Sequence, residues 1–134
     1  MAEHVASLLR EIENNPLSNT LKNIVEEYFG NQNAAEFFKV PFSMFSKEDI
    51  RSLLNEAGFK KIDIELVTKE GVALSASDAA KSLIFGTPAF KEISEADTSA
   101  PEKIVAIAEK EIAELYGDKT SKSELNAWVV ESWK

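Results

Sequence analysis

The sequence lacks residue types that several kinds of functional site require. Its 134 residues include no cysteine and one histidine, His4. Disulfides, thiolate metal sites, cysteine nucleophiles and paired-histidine sites are therefore excluded. No apolar run approaches the roughly 18 residues that a membrane span needs, and the first residues show no basic segment followed by an apolar one. We expect a cytoplasmic protein that does not cross a membrane.

Glycines are few and scattered along the chain. Each stands alone near a predicted turn or helix end: Gly30, Gly58, Gly71, Gly86 and Gly117. Phosphate cradles need closely spaced glycines so that backbone N–H groups approach the anion, so nucleotide binding is not expected. No serine lies in a glycine-flanked nucleophile elbow. The sequence therefore predicts no catalytic, cofactor-binding or metal-ligating residue.

The net charge of the chain bears on which kinds of molecule it could bind. The formal net charge is −8, with acidic residues interleaved among lysines. Such a surface repels phosphate backbones and anionic lipid, so neither nucleic acid nor a membrane is an expected partner. Asp63 and Glu65 share the polar face of a predicted strand, which is more typical of a solvated surface than of a catalytic carboxylate pair.

The apolar residues follow mainly helical spacing. Helices are predicted over residues 16–29, 47–57, 77–85, 88–93 and 100–116, with a short helical piece at 34–39. Strands are predicted over residues 61–68 and 125–133. Residues 4–9 fit either a helix or a buried strand, because Val5, Leu8 and Leu9 satisfy both patterns. These elements predict a mostly helical α+β fold with two or three strands, forming one domain over residues 1–134.

Capping residues and apolar stripes refine this prediction. Asn15, Ser46 and Ser99 are expected to cap the helices that follow them. The second helix is expected to bury one stripe: Ile50, Leu53, Leu54 and Ala57. The last helix is expected to bury another: Ile104, Val105, Ala108, Ile112 and Leu115.

An aromatic segment is the strongest candidate for a binding site. Five of the eight phenylalanines fall between residues 29 and 45. They either cover the core, which is the commoner role of aromatic residues, or form a wall for a small apolar ligand. The candidate wall comprises Phe37, Phe38, Phe42 and Phe45. Tyr28 and Tyr116 are possible sources of hydroxyl groups, although the sequence does not bring them together.

Several motifs follow one another along the chain in an order that resembles a known protein family. They are residues 9–16 (LREIENNP), 41–43 (PFS), 48–59 (EDIRSLLNEAGF), the strand 61–68 and residues 127–130 (AWVV). Together they resemble the C-terminal portion of class I S-adenosylmethionine-dependent methyltransferases of the ubiquinone/menaquinone-biosynthesis type. The resemblance implies that residues 48–59 form a helix leading into the sixth strand of a Rossmann-like sheet. The last strand would return antiparallel beside it, and residues 4–9 would form the fifth strand.

The same resemblance implies that this chain holds no methyl donor. The family's glycine-rich loop and the acidic residue that holds the cofactor ribose have no counterpart in the sequence. What remains would complete the sheet and place helices over a substrate, with any substrate contacts in residues 37–45. We therefore expect a methyltransferase-like accessory domain, inactive alone, that pairs with a separate chain or forms a homodimer covering its open sheet edge. The alternatives are a stand-alone module for a small apolar ligand and a homo-oligomeric interaction protein.

Overall fold

The computed structural model describes residues 2–134; Met1, the first residue of the predicted domain, lies outside them. Within this range the chain forms three strands: β1 (His4–Leu9), β2 (Lys61–Ala73) and β3 (Ser121–Trp133). It also forms five helices: α1 (Pro16–Phe29), α2 (Lys47–Glu56), α3 (Ala76–Phe85), α4 (Ala89–Ala96) and α5 (Ala100–Tyr116). Single 3-10 turns lie at Ile12–Asn14 and Glu36–Phe38. The predicted α+β class is confirmed.

The three strands form one antiparallel sheet with the order β1-β3-β2. The register of β1 on β3 runs from His4 opposite Ser132 to Leu9 opposite Ala127. On the other side of β3, Lys61 faces Trp133 and Ala73 faces Ser121. Both β1 and β2 are therefore edge strands that run parallel to each other. Residues 4–9 form a strand and not a helix, but the strand is an exposed edge and not a buried one, since none of its residues is buried.

Strands β2 and β3 are longer than their sequence patterns predict. Alternation in β2 is lost after Leu66, yet the strand continues to Ala73 because residues 121–127 of β3 pair with it along that stretch. Pairing between distant segments, rather than local pattern, sets these ends.

Two apolar clusters hold the fold together. The larger lies among α1, α3, α4 and α5, and its most deeply buried large side chains are Leu21, Ile84, Ile93, Ile104 and Ile112. The smaller lies where α2 covers one face of the sheet, which we call the α2 face. Ile50 of α2 is buried there against Ile62, Ile64 and Val130. The sheet and the helical layer thus have separate cores.

The two predicted apolar stripes are only partly correct. On α2, Ile50 is buried, but Leu53 is 50% exposed and Ala57 is exposed. Leu53 and Leu54 border an open groove along β1. On α5, Leu115 is 64% exposed, because Tyr116, four residues after Ile112, packs against the helical core in its place.

Helix capping also differs from expectation at two sites. Ser46 caps α2 as predicted, since its hydroxyl accepts a hydrogen bond from the Asp49 N–H at 3.2 Å. Asn15 and Ser99 occupy N-cap positions without capping through their side chains. Asp97 accepts both the N–H and the hydroxyl of Ser99 at 2.8 Å, so the Ser99 side chain is engaged elsewhere.

The Asn15 side chain joins the helical layer to the central strand. Its Oδ1 accepts the Asn126 N–H at 2.9 Å, and its Nδ2 donates to the Asn126 carbonyl at 3.3 Å. The Asn126 side chain in turn donates to the Asn14 carbonyl at 2.7 Å and accepts the Thr68 hydroxyl at 2.6 Å. The two bonds between Asn15 and Asn126 are buried, so they satisfy groups that water does not reach.

Candidate functional site

Three of the four phenylalanines in the candidate wall line one cavity. Phe38, Phe42 and Phe45 border a space of about 840 Å³ between the 3-10 turn at Ile12–Asn14, the middle of α1 and the segment before α2. The Phe38 and Phe42 ring centroids are 6.0 Å apart. Phe37 is absent from the lining; its ring lies 4.6 Å from that of Phe38 and packs against the helical core. The aromatic segment therefore serves both the core and this cavity, which we call the aromatic cavity.

Charged side chains surround the rest of the aromatic cavity. Four glutamates and two lysines line it: Glu11, Glu13, Glu26, Glu36, Lys22 and Lys39. Each lysine is paired, with Lys22 3.1 Å from Glu26 and Lys39 2.6 Å from Glu36. The cavity thus combines an aromatic wall with an acidic rim. Tyr28 and Tyr116 lie against the helical core and do not line it.

Trp128 connects the aromatic segment, through Phe45, to the sheet. Its indole N–H donates to the Phe45 carbonyl at 2.8 Å. The Arg10 guanidinium lies 5.1 Å from the indole centroid and the Lys47 ammonium 5.6 Å from it, both within cation–π range. The sequence predicted a strand over residues 125–133. The strand is present, but the indole is only half-buried and holds two cations near the surface.

A second apolar depression was not predicted from the sequence. It lies on the α2 face between α2 and the edge strand β1, and we call it the α2–β1 groove. Its volume is about 170 Å³, and its lining is nearly all apolar: Ala6, Leu8, Met44, Ile50, Leu53, Leu54 and Val130, with His4 and Ser132 at one end. The available signal was the two-residue alternation of His4, Ala6 and Leu8, which becomes informative once residues 4–9 are known to be a strand.

The two sheet edges differ in charge. No charged residue lies between Val5 and Leu9 on β1, and Val5 is 69% exposed. The opposite edge, β2, carries charged side chains along its length: Lys61, Asp63, Glu65, Lys69 and Glu70. Native proteins commonly protect edge strands with charge, proline or a bulge. Strand β2 is protected in this way and β1 is not.

The positions of the titratable side chains bear on whether the chain could bind a metal ion. Within residues 2–134, no group of three or more acidic or histidine side chains is arranged to hold a metal ion. The pKa of Asp97 is lowered by hydrogen bonds from the Ser99 N–H and then from the Ser99 hydroxyl. His4 is exposed and its ring meets that of Phe59 edge-on at 5.1 Å.

The sequence matches no protein-family model and no curated protein. None of the helices within residues 2–134 combines the length and apolar character that a membrane crossing requires. A function for the chain therefore has to follow from its own residues, and the features that stand out are the aromatic cavity, the α2–β1 groove and the unprotected edge of β1.

Proposed function

We propose that the chain is a methyltransferase-like accessory domain that docks a second polypeptide along β1 and neither binds S-adenosylmethionine nor methylates a substrate alone. The observation that carries this proposal is the outer edge of β1, which pairs with no strand among residues 2–134, carries no charge over residues 5–9 and is bordered by an apolar groove. Edges of this kind are templates for strand addition. The docked polypeptide is either a second copy of the chain or a separate chain that supplies a cofactor-binding half.

The order of elements supports the methyltransferase-like part of the proposal. Residues 48–59, which carry the strongest resemblance, span most of α2 and the turn that leads into β2. Strand β3 runs antiparallel beside β2, which is what the resemblance implies for the last strand. Residues 9–16 lead from the end of β1 to the start of α1.

The glycines support the absence of a cofactor site. Gly30, Gly58 and Gly117 have positive φ angles of 61°, 92° and 88° and follow the ends of α1, α2 and α5. Gly86 ends α3, and Gly71 lies inside β2. No two of them are adjacent in a loop that leads from a strand into a helix, which is where a nucleotide phosphate would be bound.

The composition of the chain supports a protein partner and a cytoplasmic location. An acidic surface with a net charge of −8 favours a protein partner over nucleic acid or anionic lipid. The absence of cysteine fits a reducing compartment, so we propose a cytoplasmic location.

Calorimetric titration with S-adenosylmethionine and S-adenosylhomocysteine tests the first part of this function. We expect no saturable heat from either compound. Near-ultraviolet circular dichroism of the same sample, reporting Trp128 and Trp133, controls for folding. One-to-one saturable binding by the isolated chain would overturn the proposal, because it would require a cofactor site built without a glycine loop.

The aromatic cavity favours a second candidate function, binding of a small apolar ligand. Phe38, Phe42 and Phe45 line one space, and such walls are typical of ligand pockets. A ligand present at 100 times its dissociation constant stabilises the folded state by about 2.7 kcal/mol. Thermal melting with a panel of aromatic and lipid-like compounds would reveal this as a raised melting temperature.

Matched variants assign any such shift to the cavity. Phe42→Ala should abolish it, whereas Phe90→Ala, which alters an exposed phenylalanine of α4 that does not line the cavity, should keep it. The absence of a shift with every compound, or a shift that Phe42→Ala leaves unchanged, would refute ligand binding in this cavity.

A further inference from the structure

We infer that the polypeptide docked along β1 is a second copy of this chain, paired antiparallel about a twofold axis at Ser7. The inference rests on the proposed docking function and names its partner. The two copies would form one six-stranded sheet in the order β2-β3-β1-β1-β3-β2. The observations behind it are the direction of the β1 backbone groups, the self-complementarity of residues 5–9 and the distribution of charge.

Backbone geometry determines which residues of β1 face the free edge. The Arg10 N–H donates to the Asn126 carbonyl at 3.1 Å, in the register that β1 keeps with β3. Residues that exchange hydrogen bonds with an antiparallel neighbour alternate along a strand. Leu8 and Ala6 therefore pair with β3, and at the start of the strand the Glu3 N–H donates to the Ser132 carbonyl at 3.1 Å. The N–H and carbonyl groups of the alternate residues point away from the sheet: Val5, Ser7 and Leu9.

Twofold symmetry then selects the register. A twofold axis perpendicular to the sheet keeps like faces together, so paired residues must lie on the same face. Centring the pairing on Ser7 lets all three outward residues of each strand exchange hydrogen bonds, with Val5 opposite the partner's Leu9. Moving the axis to Ala6 leaves Leu9 of each copy opposite Glu3, which lies outside the strand. The Ser7 register is therefore the one that satisfies the whole edge.

Side chains on both faces suit this register. On the α2 face, Ala6 lies opposite the partner's Leu8, and both residues line the α2–β1 groove in their own copy. The two grooves therefore meet across the axis and bury apolar surface that each copy exposes alone. On the other face, Val5, which is 69% exposed, packs beside the partner's Leu9. Residues 5–9 are thus complementary to a second copy of themselves.

Charge limits where two copies can meet. Each chain carries a net charge of −8, so two copies repel over most of their surfaces. Pairing through β2 would bring together a strand with charged side chains along its length, and like charges directly opposite destabilise a sheet. Residues 5–9 of β1 carry no charge. Of the two sheet edges, β1 is therefore the one where contact between two copies adds less electrostatic repulsion.

A single engineered thiol tests the register. The chain has no cysteine, so Ser7→Cys introduces its only thiol. Hydrogen-bonded antiparallel partners have Cα atoms about 5.5 Å apart, within the range that a disulfide spans. Glu65→Cys is the matched control, because Ser7 and Glu65 both lie beside Val129 on opposite sheet edges and are both exposed. Under mild oxidation at tens of micromolar, we expect Ser7→Cys to form a covalent dimer at least tenfold faster than Glu65→Cys.

Light scattering gives the complementary measurement. The unmodified chain should have twice the mass of one 14.8 kDa chain. Ser7→Lys places two ammonium groups across the axis and should halve that mass, while Glu65→Lys should leave it unchanged. Because Ser7 is exposed and its N–H points away from β3, the monomeric variant should keep the circular dichroism spectrum of the parent.

Two results would overturn the inference: a monomeric parent whose Ser7→Cys variant cross-links no faster than Glu65→Cys, or a dimer that Ser7→Lys leaves intact. A monomer that also gives no heat with S-adenosylmethionine would refute the second copy as partner but leave docking of a separate chain standing. Saturable cofactor binding would instead refute the proposed function, whatever the oligomeric state.

Discussion

Replacing Asn15 by alanine should weaken the junction between the sheet and the helical layer. Asn15 is 2% exposed and makes no capping hydrogen bond to α1. Its role is the pair of bonds to the backbone of Asn126, at 2.9 Å and 3.3 Å. Alanine removes both and leaves the N–H of Asn126 buried without its acceptor.

The magnitude follows from that orphaned group. A buried donor left without a partner costs about 1–3 kcal/mol. The bonds that Asn15 Nδ2 donates, at 3.3 Å to Asn126 and 3.4 Å to the Glu11 carbonyl, are long and contribute less. We therefore expect Asn15→Ala to lower the free energy of unfolding by about 2 kcal/mol. For a chain of this length that corresponds to a fall in melting temperature of roughly 8 °C.

Urea denaturation followed by tryptophan fluorescence measures this loss, because Trp128 and Trp133 lie on the same strand as Asn126. Asn23→Ala is the matched control: Asn23 is an exposed asparagine of α1, and alanine there should change stability by less than about 0.5 kcal/mol. A loss of under 0.5 kcal/mol for Asn15→Ala, or equal losses for the two variants, would refute the role assigned to the Asn15–Asn126 link.

Three further changes have defined expectations. Ile104→Ala, at a fully buried position of α5, should cost about 3 kcal/mol in urea denaturation through the cavity it leaves, and a loss below 1 kcal/mol would contradict the packing. Ser75→Ala removes the acceptor of the Asp78 N–H at 3.0 Å and should cost about 1 kcal/mol in the same assay; an unchanged unfolding midpoint would contradict its capping role. The Asp97 pKa, measured by carboxyl chemical shift, should lie below its ordinary value because Ser99 hydrogen-bonds to the carboxylate. A lowered folded-state pKa stabilises the fold above the unfolded-state pKa, and this contribution is lost as pH falls through the folded-state value, so the stability deficit of Asp97→Ala should vanish in acid. A deficit that persists there, or an unshifted titration, would contradict the hydrogen bonds to Ser99.

Local signals in the sequence were sufficient for most of the fold. The helical spacing of Ile104, Ala108 and Ile112 predicted α5 over the range it occupies, and Ser46 was correctly identified as a cap. The predictions from sequence fail where contacts between distant segments compete with local ones. Asn15 has the chemistry of a cap, but its side chain bonds to Asn126, 111 residues away. The far end of β2 depends on its partner strand and not on its own alternation.

The candidate site was harder to predict for the same reason. The density of phenylalanines identified the aromatic segment, but which rings face a cavity and which face the core depends on how the segment folds back. Phe37 and Phe38 are adjacent in sequence, yet only Phe38 lines the cavity. The α2–β1 groove is formed by elements some 40 residues apart in sequence, so no local pattern describes it.

Amide hydrogen exchange along β1 tests the central claim, that this edge docks a polypeptide, most directly. In an isolated monomer the N–H groups of Val5, Ser7 and Leu9 face solvent and should exchange rapidly, whereas those of Ala6 and Leu8 are held by β3. The account predicts that exchange at Val5, Ser7 and Leu9 slows as protein concentration rises, while exchange at Ala6 and Leu8 changes little. Rapid exchange at Val5, Ser7 and Leu9 at every concentration, in the chain alone and with a candidate partner chain added, would contradict it.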